Sequence, residues 1–182
     1  EQRWVVDPLD GTTNFLHGLP HFAISIALER RGELVAGVVY DPIKDELFCA
    51  EKGAGAYLND RRLRVSGRSD LATCLIGTGI PVLDWPGRDR EKGFTEQLER
   101  LSGEVAGIRR LGTASLDLAY VAAGRLDGFW EYGLKPWDVA AGIVLVREAG
   151  GLVGRLEGEG DVAAGTLVAS NAVIHPRLVQ LL

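Results

Sequence analysis

The sequence predicts a mixed fold, α+β to α/β, in which sheets and helices alternate in layers. Two observations point there. The N-terminal part consists of short apolar stretches separated by turn residues, whereas beyond about residue 70 helical apolar spacing alternates with further short apolar runs. Residues 1–7 read as the start of a buried strand. Residues 22–29 and 33–40 flank Arg30, Arg31 and Gly32, a hairpin signal, and Asp41-Pro42 turns the chain into a strand over 46–50. Lys52-Gly53 and Asn59-Asp60 bracket one more strand over 55–58, completing an antiparallel meander. Residues 72–77 read as a buried strand and 89–101 as a helix, with Phe94, Leu98 and Leu101 at helical spacing. A short strand over 108–111 precedes a helix over 113–123 that Gly124 stops. A strand over 127–131 and a helix opened by Pro136 and closed by Gly150-Gly151 follow. A strand over 166–170 and a helix opened by Pro176 end the chain. The whole is expected to form one domain, 1–182, with a subdomain boundary near residue 70.

Composition closes several functional classes. The 182 residues carry a net charge of −5 and are 46% hydrophobic and 25% charged, an ordinary folded-domain balance. The acidic balance argues against general nucleic-acid binding, because a phosphate backbone attracts basic faces. No apolar run is long enough to span a membrane, and Cys49 and Cys74 have neither metal-ligand nor redox spacing, so reduced thiols in the cytoplasm are expected. The sequence contains no Met, from which an N-terminal truncation is expected.

The segment from Trp4 to Phe15, WVVDPLDGTTNF, carries the chemistry. A strand delivers Asp7, and Pro8 is expected to break its pairing and force a turn. Such a turn sets Asp7 and Asp10 on one side with the Leu9 carbonyl between them, the hard oxygen donors that Mg²⁺ prefers. Gly11 lets the backbone approach an anion, and the Gly11 and Thr12 amides can form an anion-binding nest. The Thr12 hydroxyl is placed to orient a water. Metal carboxylates followed by anion-binding amides suit metal-assisted phosphoester hydrolysis. Asp-Pro and Asp-Gly are equally the dipeptides of a solvated turn, so the pair alone does not decide. Pro136-Trp137-Asp138 adds a third acid, in the first turn of a helix, where a plain N-terminal acid is also common. His17, His21 and His175 show no ligand spacing and read as loop or surface histidines, and Arg109-Arg110 as a solvated pair.

Together, the Asp7–Phe15 segment, the downstream PWDVAAG beginning at Pro136 and the EAGG beginning at Glu148 resemble the inositol monophosphatase family. The resemblance runs from about Trp4 to the C-terminus. It implies a layered αβαβα sugar-phosphatase fold, here lacking the N-terminal helices and part of the first sheet. It also implies Mg²⁺ dependence, lithium sensitivity and a homodimer. By the same resemblance Asp7, the Leu9 carbonyl, Asp10 and Asp138 would hold Mg²⁺. Gly11 and Thr12 would contact phosphate, and Asp10 and Thr12 would be catalytic. Gly112, Thr113 and Ala114, at a helix start, would line the substrate pocket, and Glu131 would accept a hydrogen bond from a substrate hydroxyl. Substrate contacts would thus include Leu9, Asp10, Gly11, Thr12, Gly112, Thr113, Ala114, Glu131 and Asp138. The implied activity is hydrolysis of inositol 1-phosphate or a similar polyol phosphate. Fructose 1,6-bisphosphate and histidinol phosphate are the alternatives, and a non-catalytic binding module is the rival of a different class. The family also has a metal-binding Glu on a segment preceding the Asp7–Asp10 turn, which these residues do not supply. The 182-residue chain by itself is therefore expected to hydrolyse phosphate esters poorly or not at all.

Overall fold

Arg31 and Gly32 both take positive φ (54° and 78°), the two-residue turn that matches strand twist, and so pair β2 (Ala23–Arg30) with β3 (Glu33–Asp41). Asn59 and Asp60 repeat the device between β5 (Gly55–Leu58) and the two-residue β6 (Arg61–Arg62). With β1 (Gln2–Asp10) and β4 (Glu46–Glu51) these strands form an antiparallel sheet in the order β1-β2-β3-β4-β5-β6. This computed structural model describes residues 1–80, 88–156, 163 and 165–182.

The strand at Asp7 does not end at Pro8, as the sequence suggested. β1 continues to Asp10 through a register irregularity between Asp7 and Asp10. Proline is tolerated because β1 is an edge strand, and the extra residue re-aims the chain. The strand is not buried either: Trp4 is 66% and Val6 47% exposed. Opposite Trp4 and Val6 stand Leu28 and Ile26, so these side chains share the outer face of the sheet.

The second sheet, β10-β11-β9-β7-β8, is mixed: β7 (Leu75–Thr78) runs parallel to β8 (Gly107–Arg109) and β9 (Gly128–Leu134), while β10 (Gly151–Arg155) and β11 (Gly165–Asn171) are antiparallel. Residues 71–73 form a 3-10 turn capped by Asp70, so the strand expected from 72 begins later. β9 extends to Leu134 rather than stopping at 131, and β10 and the five-residue α1 (Thr12–Leu16) were not predicted. The remaining helices are α2 (Arg88–Ser102), α3 (Ala114–Ala122), α4 (Pro136–Glu148) and α5 (His175–Leu181).

Helices α3 and α4 lie between the two sheets. Every residue of α3 is buried, and α4 packs on β1 to β5 as well as on β10. The main core joins Phe48 and Val39 of the first sheet to Leu116, Leu118, Ile143 and Leu145 of the helices and Phe129 and Leu167 of the second sheet. Gly37 permits the close approach of β3 to α4, since a Cβ there would lie 2.6 Å from the Ala141 carbonyl oxygen. A second core, with Trp130, Ile76, Phe94 and Leu178, lies on the other face of the second sheet, under α2 and α5. The layers therefore read sheet, helices, sheet, helices.

Buried Asp127 ties the link between the sheets in place. It accepts hydrogen bonds from Ser66, from Arg68 at 3.1 Å and from the Leu75 amide at 2.7 Å. Asp127→Ala strands these donors and should lower unfolding free energy by about 2–4 kcal/mol, read as a shift in urea midpoint at unchanged slope. An unchanged midpoint would show that the network contributes nothing net.

Candidate active site

The bulge that ends β1 turns the Asp7 and Asp10 carboxylates toward the inter-sheet layer, where α3 and α4 present their N-termini. Asp7 Oδ1 accepts the Leu9 amide at 3.0 Å, fixing the turn from within. Asp10 Oδ2 accepts the Ser115 amide at 2.8 Å, in the first turn of α3, 105 residues away. Asp138 Oδ2 accepts the Lys135 amide at 2.7 Å and caps α4, with Pro136 as the first helical residue. Each carboxylate thus gives one oxygen to a backbone amide. The Thr12 hydroxyl donates to the Leu9 carbonyl at 3.0 Å and keeps its lone pairs for an incoming proton donor.

The electrostatics show that these acids feel one another. Burial pushes Asp10 up to about 6; Ser115 pulls it back down, and the charges of Asp138 and Asp7 add to the rise. Asp138 is raised, first by burial and then by Asp7, against the opposing Lys135 amide and charge. Glu131 is pushed to about 8 by burial, then by Asp10 and Asp138, with Arg110 opposing. Three mutually repelling oxygen donors suit a hard divalent cation, which favours carboxylates and retains waters. They do not form a ready-made cage. Among the described residues no group of three or more His, Cys, Asp or Glu side chains could hold an ion unaided.

Gly11 sits at φ 85°, between Asp10 and α1. A Cβ there would overlap Thr113 Oγ1 and approach the His21 carbonyl oxygen to 3.1 Å. That close approach is the centre of a knot. Asn14 Nδ2 donates to the His21 carbonyl at 2.8 Å and to the Leu111 carbonyl at 2.9 Å, and Thr113 Oγ1 donates to the His21 carbonyl at 3.1 Å. The amides at the start of α1 have no intrahelical acceptors and remain available to an anion.

The predicted site residues are brought together in part. Asp7 and Asp138 act on Asp10, Asp7 acts on Asp138, and Glu131 feels Asp10 and Asp138. Gly112, Thr113 and Ala114 join the site by a different route from the one expected. Thr113 is buried in the knot, and the Ser115 amide just beyond serves Asp10. Glu131 lies within β9, not at a strand end, and fills the space over Gly79, where any Cβ would overlap its carboxyl. His21 lies in a loop, as expected, but is half-buried. Its Nε2 is buried without a partner among the described residues, its ring packs 6.0 Å from that of Tyr120, and burial lowers its pKa. His175 likewise bonds Ser170 through Nδ1 at 2.7 Å. Arg110 is not merely solvated, since its charge reaches Asp117 and Glu131.

Sequence reasoning missed Asn14, Ser115 and Asp117. Asp117 is fully buried on α3, with Oδ1 unpartnered among the described residues and facing Gly77. Burial, then Glu131 and Asp10, push it well above the carboxylate range. A charged residue at a wholly buried helical position is the one signal in the sequence that marked it.

Comparison with known proteins adds three findings. The family model described as the inositol monophosphatase family matches residues 1–182. An inositol-1-monophosphatase of Mesorhizobium japonicum is 57% identical over 181 residues, 99% of this chain and 67% of the relative; a Nus factor SuhB of Pseudomonas aeruginosa is 56% identical over 169 residues, 92% of this chain and 62% of the relative. The crystal structure of extragenic suppressor protein suhB from Bartonella henselae superposes with a TM-score of 0.94 at 56% identity, covering 100% of this chain and 70% of that one. The chain thus spans about two thirds of the length of these relatives.

Proposed function

Because the chain belongs to the inositol monophosphatase family, we propose that it carries most of the active site of a Mg²⁺-dependent phosphomonoesterase for inositol 1-phosphate or a similar polyol phosphate. The observation that carries the reading is the acid set: Asp7 and Asp10 come from a bulged strand and Asp138 from a helix N-terminus, and burial, then the neighbouring carboxylates, raise Asp10 and Asp138. Asp7, Asp10, Asp138 and the Leu9 carbonyl would hold the ion. When bound, magnesium neutralises phosphoryl charge and makes a water more acidic. The chain's own groups do the positioning. The Gly11 and Thr12 amides receive phosphate oxygens, and the Thr12 hydroxyl, fixed by Leu9, orients the attacking water. Glu131, held beside Gly79, accepts a hydrogen bond from a substrate hydroxyl in its charged form. A carboxylate there suits a polyol better than a second phosphate.

Two measurements test this. Calorimetric titration should show saturable Mg²⁺ binding by the 182-residue chain that Asp10→Asn and Asp138→Asn each weaken by at least about tenfold. Phosphate release by the longer protein should be fastest on inositol 1-phosphate among that ester, fructose 1,6-bisphosphate and histidinol phosphate. Absence of Mg²⁺ binding would favour the second reading, a non-catalytic binding module, which the Nus factor name of the Pseudomonas relative supports. A homodimer belongs to the first reading, and sedimentation velocity checks it.

A further inference from the structure

At the edge of the first sheet farthest from β1 lies a cleft of about 360 Å³ lined by Leu58, Arg61, Arg62, Leu63, Arg64, Ala123 and Arg125. Five strand steps of about 4.8 Å separate this edge from β1, so the cleft stands roughly 24 Å from the acid site along the sheet. Four arginines meet here in a chain whose net charge is −5. They are not equivalent. Arg125 is engaged: its guanidinium binds Glu46 through two nitrogens and lies 5.0 Å over the Tyr120 ring and 5.7 Å over that of Phe48. It is a fixed wall. Arg64 donates to its neighbour's carbonyl, that of Leu63, at 3.0 Å. Among the described residues Arg61, Arg62 and Arg64 form no ion pair. Two of the neighbouring acids are already engaged. Glu46 is bound by Arg125, and both oxygens of Glu148 accept amides, from Gly53 and Gly55, beside the Arg62 guanidinium.

We propose that this cleft binds a small anion bearing two or more phosphates, at a site separate from the acid cluster. Planar guanidinium forks match phosphate oxygens bidentately, and an anion seated between them relieves their mutual repulsion. The volume lies within the range of small-molecule pockets, and the basic surface is confined to one cleft rather than drawn out as a stripe, which disfavours a polynucleotide. Arginine on an edge strand also guards against unwanted sheet pairing, but that role needs exposure alone. It does not need a second element, carrying Ala123 and Arg125, to close the cleft.

The test uses inorganic pyrophosphate in EDTA, where the metal-free acid site repels anions. Calorimetry on the 182-residue chain should show one site. Arg61→Gln with Arg62→Gln should weaken it by at least about tenfold, while Asp138→Asn leaves it unchanged. Circular dichroism of the double variant, and each single variant in turn, separates lost binding from lost folding. Absence of saturable binding, or binding indifferent to both arginines, overturns the proposal. So does capture of single-stranded RNA through these arginines with which pyrophosphate does not compete.

Discussion

Gly11→Ala is expected to destabilise the protein by about 2–4 kcal/mol and to abolish Mg²⁺ binding, although the substitution adds one methyl group to a residue that ligates nothing through a side chain. Two independent costs act. At φ 85° an L-residue is strained, which accounts for about 1–2 kcal/mol. The Cβ would also overlap Thr113 Oγ1 and press on the His21 carbonyl and on Phe22 Cα, 3.3 Å away. Thr113 cannot simply withdraw, because it is buried and donates to His21, and Asn14 spans the same carbonyl and Leu111. The methyl must therefore push the 11–22 segment away from α3. Asp10 moves with it and loses its bond from the Ser115 amide. Urea denaturation measures the first effect and Mg²⁺ calorimetry the second. A variant with wild-type midpoint and wild-type affinity would show that the knot does not position Asp10. Thr113→Ser, which keeps the hydroxyl, should preserve both properties.

This knot also marks where legibility in the sequence ends. The starts of β3, β4 and β5, the Arg31-Gly32 and Asn59-Asp60 turns, and the Pro136 helix start were readable because their determinants lie within a few residues. The acids of the candidate site stand out locally for the same reason: Asp7 and Asp10 share a turn, and Asp138 follows Pro136. The partners that orient them were not. Ser115 reaches Asp10 across 105 residues and Asn14 reaches Leu111 across 97, and no local pattern announces either contact. Pro8 misled for a physical reason. The rule that proline ends a strand holds for interior strands, and only the sheet order shows that β1 lies at an edge. Trp4 and Val6 misled similarly, since an apolar alternation says that a face is apolar and not what packs on it.

Glu131→Gln is expected to stabilise the metal-free protein at alkaline pH by about 2 kcal/mol, the opposite of what loss of a site residue usually does. Glu131 ordinarily titrates at 4.5, and in the fold burial, then Asp10 and Asp138, raise it to about 8. A carboxyl whose folded pKa exceeds its unfolded one keeps its proton longer in the native state. Between 4.5 and about 8 the folded chain binds more protons than the unfolded chain, so stability falls as pH rises, and the loss is complete above about 8. Asp10, raised from 3.8 to about 6, acts with the same sign in an earlier window. Above pH 6 the remaining slope belongs to Glu131 together with Asp117, which burial also raises well above the carboxylate range, and Gln removes the Glu131 share by supplying a neutral side chain of the same shape. Mg²⁺ should act in the same direction on the wild type but more weakly, because neutralising Asp10 and Asp138 removes their contribution and leaves the larger one from burial. The measurement is the urea midpoint from pH 5 to pH 9 in EDTA and in saturating Mg²⁺, for wild type and Glu131→Gln. A wild-type midpoint flat across this range, or an equal slope in the variant, would show that Glu131 is not held protonated. In the proposed reading the same repulsion would favour a cation, because positive charge arriving beside Asp10 and Asp138 would relieve it.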